Sequence, residues 1–308
     1  MMVMLLVMMS AVIPAGATES LTEEYAPLLP GDADTDGSVT ILDATVIQQF
    51  LAELPVTAFD EKAADADSDG FVTILDATGI QRWLAGLSSP LDNENLTNDV
   101  LYARSVQDAM VVDEDEILPL VNITKDDDRV IWNGDRVLVL FMHKYPASYP
   151  AGEDVELKWG NVWCVSAGEA YQWMKNNSAE VNDWTERFHQ LLGMPTSKNY
   201  TSLTAAWVDA DLLYRPAFVS DPTAAMQATY QPTGNEEFDT MFKAWFDDNV
   251  NWSYHESAYP WTRLGYTYDW ANNGVKYGWS EFIIFSGATV TIEYTYSVED
   301  FVAFAKAQ

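Results

Sequence analysis

The sequence predicts two domains of different class: a small all-α unit made of two loop-plus-helix copies, then a larger α+β domain. Three observations carry this. Residues 32–54 recur 33 positions later as residues 65–87, with 17 of 23 positions identical, and self-similarity at a fixed offset marks a duplicated structural unit. Behind each loop the apolar residues fall at three- and four-residue spacing, as Ile47, Phe50, Leu51 and Leu54, then Ile80, Trp83, Leu84 and Leu87, the period of a helix with one buried face. Beyond residue 97 the pattern changes to apolar runs of strand length interleaved with helical periodicity.

Each repeated loop is spaced for a hard cation. Asp32, Asp34 and Asp36, and likewise Asp65, Asp67 and Asp69, put carboxylates at loop positions one, three and five. Gly37 and Gly70 at position six permit the sharp turn, and the carbonyls of Ser38 and Phe71 follow at seven. Thr40 and Thr73 offer oxygens at nine, and Asp43 and Asp76 close the loops at twelve. This is the calcium-loop pattern, and written twice it predicts two ions. An EF-hand has a helix on either side of its loop, but Pro30-Gly31 stands directly before Asp32 and reads as a turn.

A tandem of loop-plus-exiting-helix units, each ending Leu-Ala-(Glu/Gly)-Leu, resembles the type I dockerin module of cellulosomal proteins, over about residues 27–88. The resemblance implies calcium-dependent binding to a cohesin module on a scaffoldin. It implies a contact face at Ile41, Leu42, Gln48 and Gln49 in one half and Ile74, Leu75, Gln81 and Arg82 in the other. The apolar Ile-Leu pairs suggest a hydrophobic cohesin face of the kind seen in gut anaerobes. Core packing of Leu42 and Leu75 is the alternative. The duplication also implies pseudo-twofold symmetry, so that either half could meet the same surface.

Charge excludes some partner classes. The chain carries 47 acidic and 16 basic residues, a net −31, split as −12 over residues 19–90 and −19 over 91–308. The acidic balance of both halves argues against nucleic acid and anionic membrane surfaces, whose phosphates are met by an excess of Lys and Arg. Residues 1–17, apolar from Val3 to Val12 and ending Ala15-Gly-Ala17, read as a secretory signal and place the protein outside the cell or on its surface. Residues 89–96 read as a polar linker.

Residues 97–308 are expected to form one α+β domain. Arg136–Met142 is a buried-strand run, and 155–165 holds one or two more strands. Helices are expected at 167–175, 179–192 and 236–246, with Gly193 ending the second. Strands 281–285 and 288–296 flank Ser286-Gly287, a hairpin signal, and Ser297–Asp300 caps a last helix. The acidic blocks at 113–116 and 126–128 read as solvated surface.

The chemistry of this domain is the open question. No nucleophile elbow, zinc motif or phosphate loop is present. The phrases around His143, Arg215 and 259–270 are loosely similar to bacterial sequences to which no activity attaches. Candidate site residues are His143, Arg215, His255, Glu256, Arg263 and Asp269: histidines titrate near neutrality, arginines grip carboxylates, and glycosidases use paired carboxylates, for which Glu281 is also available. Cys164, His143 and His189 read more readily as structural. The module context points to polysaccharide as substrate, through a glycoside hydrolase or a carbohydrate-binding module. A peptidase, inhibitor or structural module is the alternative.

Overall fold

The computed structural model describes residues 29–92, 95–177 and 181–308, without the side chain of Glu256. The expected signal segment lies outside the described residues.

Two eleven-residue helices, α1 (Ile41–Leu51) and α3 (Ile74–Leu84), form the first unit. Each begins where the sequence supplies a reciprocal cap, Thr40 with Asp43 and Thr73 with Asp76, which satisfies amides that a bare helix start leaves unpaired. Their facing sides bury Ala44 and Ile47 against Ala77 and Ile80, with Ala33 and Ala66 from the loops and Leu91 from beyond the repeat completing the cluster. Backbone bonds from Gly31 N–H to the Ala63 carbonyl (2.7 Å) and from Asp60 N–H to the Ala33 carbonyl (3.0 Å) tie the copies together. The copies differ at their entrances. Loop one begins from a turn, whereas a single helical turn, α2 (Glu61–Ala64), capped by Asp60, leads into loop two.

Residues 89–92, expected as polar linker, fold back onto this unit. Ser89 donates its hydroxyl to the Gly79 carbonyl (2.8 Å), and Leu91 is fully buried. Gly31 explains how Leu91 fits: its φ is +95°, and a Cβ there would stand 3.0 Å from Leu91 Cδ1.

The remainder is built on a nine-stranded antiparallel sheet with helices against it, so the expected α+β domain is more accurately mostly β. The strands are β1 (Trp132–Asn133), β2 (Arg136–His143), β3 (Asp154–Glu156), β4 (Val162–Ser166), β5 (Ser202–Asp209), β6 (Leu213–Tyr214), β7 (Tyr266–Tyr268), β8 (Tyr277–Ile284) and β9 (Thr289–Ser297), in spatial order β3-β9-β5-β2-β4-β8-β6, with β1 on β2 and β7 on β8. Alternate residues of the central strand β2 serve two cores, as the period of two requires. Leu138, Leu140 and Met142 face α5 (Ala167–Asn176), α6 (Trp184–Leu191) and α8 (Val298–Ala305). Val137, Val139 and Phe141 face Val121, Ile123 and Val130 on the other side. A third cluster joins α4 (Asn98–Met110) to α7 (Glu236–Asn251) through Tyr102, Val106, Phe242, Phe246 and Trp261.

Some elements depart from expectation. The second expected helix starts late, at Trp184, because Asp183 accepts bonds from the Thr185 and Glu186 amides and fixes the N-terminus there; Ala179 and Glu180 lie outside the described residues. The third runs longer, to Asn251, and continues as a π-helical turn, Trp252–Glu256. Helix α4 and strand β5 have no counterpart in the sequence expectation. Two alanines weaken β propensity in Leu203–Val208, and burial on both faces removes the alternation that marks a half-exposed strand.

Candidate metal centres and docking face

The two loops repeat one ladder of hydrogen bonds. In the first, Asp32 accepts from Asp36 N–H (3.1 Å) and Gly37 N–H (3.0 Å), and Asp36 accepts from Ser38 N–H (2.9 Å). In the second, Asp65 accepts from Asp69 N–H (3.0 Å) and Gly70 N–H (2.8 Å), and Asp69 from Phe71 N–H (2.9 Å). Asp43 accepts from Asp34 N–H (3.1 Å) and Thr40 N–H (2.7 Å), so that one carboxylate both ends the loop and caps α1. Asp76 does the same through Ala66 N–H (2.8 Å) and Thr73 N–H (2.7 Å).

These bonds converge the acids. Oxygens of Asp32, Asp34 and Asp36 lie within 4.8 Å of one another, as do those of Asp65, Asp67 and Asp76. Burial, reinforced by Asp43, Asp36 and Asp34, pushes the Asp32 carboxyl up to about 6, against the lowering effect of the Gly37 amide. Like charges held this close favour a bound cation, and an all-oxygen donor set selects a hard one such as calcium. The donor set therefore fits the ion. Among the expected ligands, Thr40 and Thr73 are engaged as helix caps, each hydroxyl accepting the amide of Leu42 (3.1 Å) or Leu75 (3.0 Å). Phe71, whose carbonyl is the expected position-seven ligand, leaves its ring in solvent.

The outer side of the helix pair is apolar and uncovered. Ile41 and Leu42 are 55% and 58% exposed, Ile74 and Leu75 54% and 62%. The near-equal values express the pseudo-twofold, and they decide against core packing for Leu42 and Leu75: both point to solvent. Gln48, Gln81 and Arg82 are exposed beside them, and Gln49 is half-buried.

In the sheet domain the candidate residues are dispersed. Among the described residues no hydrogen bond or ion pair joins any two of His143, Arg215, His255, Arg263 and Asp269. Arg215 is fully buried and donates to the carbonyls of Asp221, Ala224 and Val121 and to the Asn122 side chain. Arg263 donates to the Ala109 and Met110 carbonyls (3.0 and 2.7 Å) between the rings of Phe218 and Tyr254. Asp269 pairs bidentately with Arg187 (2.9 and 2.5 Å). His143 is buried, its Nδ1 accepting Tyr145 N–H (3.0 Å) and its Nε2 within 2.7 Å of Thr204 Oγ1, and burial pulls it down to about 4. His189 is likewise buried and lowered by desolvation. Cys164 lies in the core, where burial drives its thiol upward, away from a nucleophilic thiolate. Burial also pushes Glu281 up to about 8. His255 is exposed on the π-helical turn, and the Glu256 side chain lies outside the described residues. A shallow open depression of about 460 Å³ borders the start of α7, lined by Tyr230, Glu236, Asp239 and Lys243; it contains none of the candidates.

Residues 30–85 match the family model of the dockerin type I domain, so the first unit is a type I dockerin, a module that binds calcium. No curated protein and no solved structure matches the chain.

Proposed function

We propose that the protein is a secreted cellulosome-type component whose dockerin, loaded with two calcium ions, binds a cohesin module of a scaffoldin and carries residues 97–308 as cargo. The observation that supports this most is the pair of equivalent apolar patches, Ile41-Leu42 and Ile74-Leu75, each exposed at the start of a helix whose first turn ends a metal loop. The proposed ligands are Asp32, Asp34, Asp36, the Ser38 carbonyl, Thr40 and Asp43 in the first loop, and Asp65, Asp67, Asp69, the Phe71 carbonyl, Thr73 and Asp76 in the second. The metal holds each loop against its exiting helix and so fixes the patch that meets cohesin. Residues 1–17 serve as the export signal. Calorimetric titration against a panel of cohesins, with calcium and then with EDTA, tests the reading: binding that persists in chelator overturns it.

For the cargo we favour binding of polysaccharide over its hydrolysis. Asp269 is committed to Arg187, and both arginine candidates are committed to backbone carbonyls, whereas flat aromatic side chains stand free at the surface, Trp159 being 98% exposed. Sedimentation with insoluble polysaccharides, alongside a reducing-sugar assay, separates the two. Sugar release would establish the hydrolase instead.

A further inference from the structure

We propose that Tyr145, Lys144, Tyr200, Lys198, Tyr259 and Trp252 form one binding strip for an oligosaccharide that bears carboxylates at intervals along otherwise uncharged rings. This rests on the reading of the sheet domain as a polysaccharide-binding cargo and names the chemistry it selects.

Three chain segments build the strip. Strand β2 ends at His143, whose carbonyl accepts Thr201 N–H (3.1 Å), and this sets Lys144 and Tyr145 beside Tyr200. The loop after α6 carries Lys198, whose ammonium lies 5.4 Å from the Tyr259 ring centre. Tyr259 in turn stacks on Trp252 (5.3 Å, 17° between planes), while Lys144 lies 5.6 Å from the ring centre of Tyr145. Tyr200 sits in the middle: burial raises its phenol, and Tyr259, both lysines and Tyr145 are all near enough to act on it electrostatically. Tyr145 and Trp252 are 60% and 42% exposed.

The ligand class follows from what is exposed and what is charged. The chain is strongly acidic, net −31, and some of its cations pair with carboxylates, as in Arg129–Asp127, Arg187–Asp269 and Lys276 with Asp108 and Glu116. Among the described residues neither Lys144 nor Lys198 has a carboxylate partner; each lies over a ring instead. Two such ammonium groups call for a ligand with a few negative charges. At physiological salt the screening length is about 8 Å, so local lysines decide contact energies while distant acids are damped. A nucleic acid carries charge on every unit and would run from two lysines onto an acidic surface. A membrane surface needs a basic cluster larger than this pair. Sugar rings present flat C–H faces to Tyr and Trp and hydroxyls to the phenols, and a sparse carboxylate meets an ammonium.

The test is calorimetry of the full calcium-loaded chain with glucuronate-substituted xylo-oligosaccharide, unsubstituted xylo-oligosaccharide, a polyglutamate peptide and single-stranded DNA. The glucuronate-substituted saccharide is expected to bind best. Binding should weaken at least about tenfold in the Lys144→Ala/Lys198→Ala double variant, weaken with added salt, and recover in the Lys144→Arg/Lys198→Arg pair. Trp252→Ala should weaken binding to every saccharide. Unchanged affinity in the alanine pair overturns the proposal, as does preference for the peptide or DNA. Binding of unsubstituted saccharide alone, independent of the lysines, overturns the strip but keeps the polysaccharide reading. Failure of every saccharide to bind overturns both.

Discussion

His143 shows how a residue with catalytic credentials is turned to structure. Its Nδ1 accepts an amide proton, so Nε2 carries the hydrogen and donates to Thr204. Thr204 is then left to bond Thr295 (2.6 Å), which donates to the Tyr149 carbonyl (2.7 Å). The chain is satisfied with a neutral ring, and protonation breaks it at Tyr145. Since the folded value lies near 4 and the ordinary one is 6.5, the unfolded chain takes up the proton first as pH falls. Nothing is lost above about pH 6.5, and stability drops from there down to about pH 4, by up to about 3 kcal/mol. Urea denaturation at pH 7 and pH 5 checks this, and His143→Gln should flatten the contribution. The arginines make a similar point. Their proximity to prolines and aromatics is visible in the sequence, but the carbonyls they brace lie up to 94 positions away for Arg215 and 154 for Arg263, and no local pattern reports those.

At the scale of elements, the repeated loops are legible almost completely because each depends on contacts within twelve residues. Spacing alone places the carboxylates and the turn glycine, whereas the reciprocal caps of Thr40 with Asp43 and Thr73 with Asp76 appear in the structure. The short helix α2 is a single turn, too brief to show a helical period, and the return of Leu91 is not legible because no local signal outweighs Pro90 and its polar neighbours. That return has a consequence. Leu91 packs in one cluster with Ile47, Ile80 and Ala77, so Leu91→Ala should destabilise the dockerin by about 2–5 kcal/mol, as read by calcium-dependent thermal unfolding. Similarly, Gly278 in β8 has Thr267 Oγ1 2.1 Å and the Leu191 carbonyl 2.5 Å from where a Cβ would lie. Gly278→Ala should therefore displace Thr267 from its bonds to α6 and β8, costing about 1–3 kcal/mol of sheet-domain stability in a urea melt. Long-range partners likewise explain β5, invisible in sequence yet placed between β2 and β9.

Across the whole molecule, the dockerin rests against its cargo through α4. Arg104 lies over the Trp83 ring (4.9 Å) and donates to the Leu91 carbonyl (2.6 Å), and the Gln107 amide lies beside Gly37 of loop one. The contact leaves both Ile-Leu patches uncovered, as the proposed docking through either half of the repeat requires. Replacing one patch, by Ile41→Asp/Leu42→Asp, should then leave cohesin affinity within a few-fold, while replacing both should abolish it; surface plasmon resonance on immobilised cohesin distinguishes the cases. Above all, calcium is held to organise this unit for docking. The most direct test is titration of the chelated, full-length protein with calcium while following cohesin binding. No binding is predicted without metal, with recovery at two equivalents and no recovery in an Asp32→Ala/Asp65→Ala variant. Full binding in the metal-free protein, or in that variant, would contradict it.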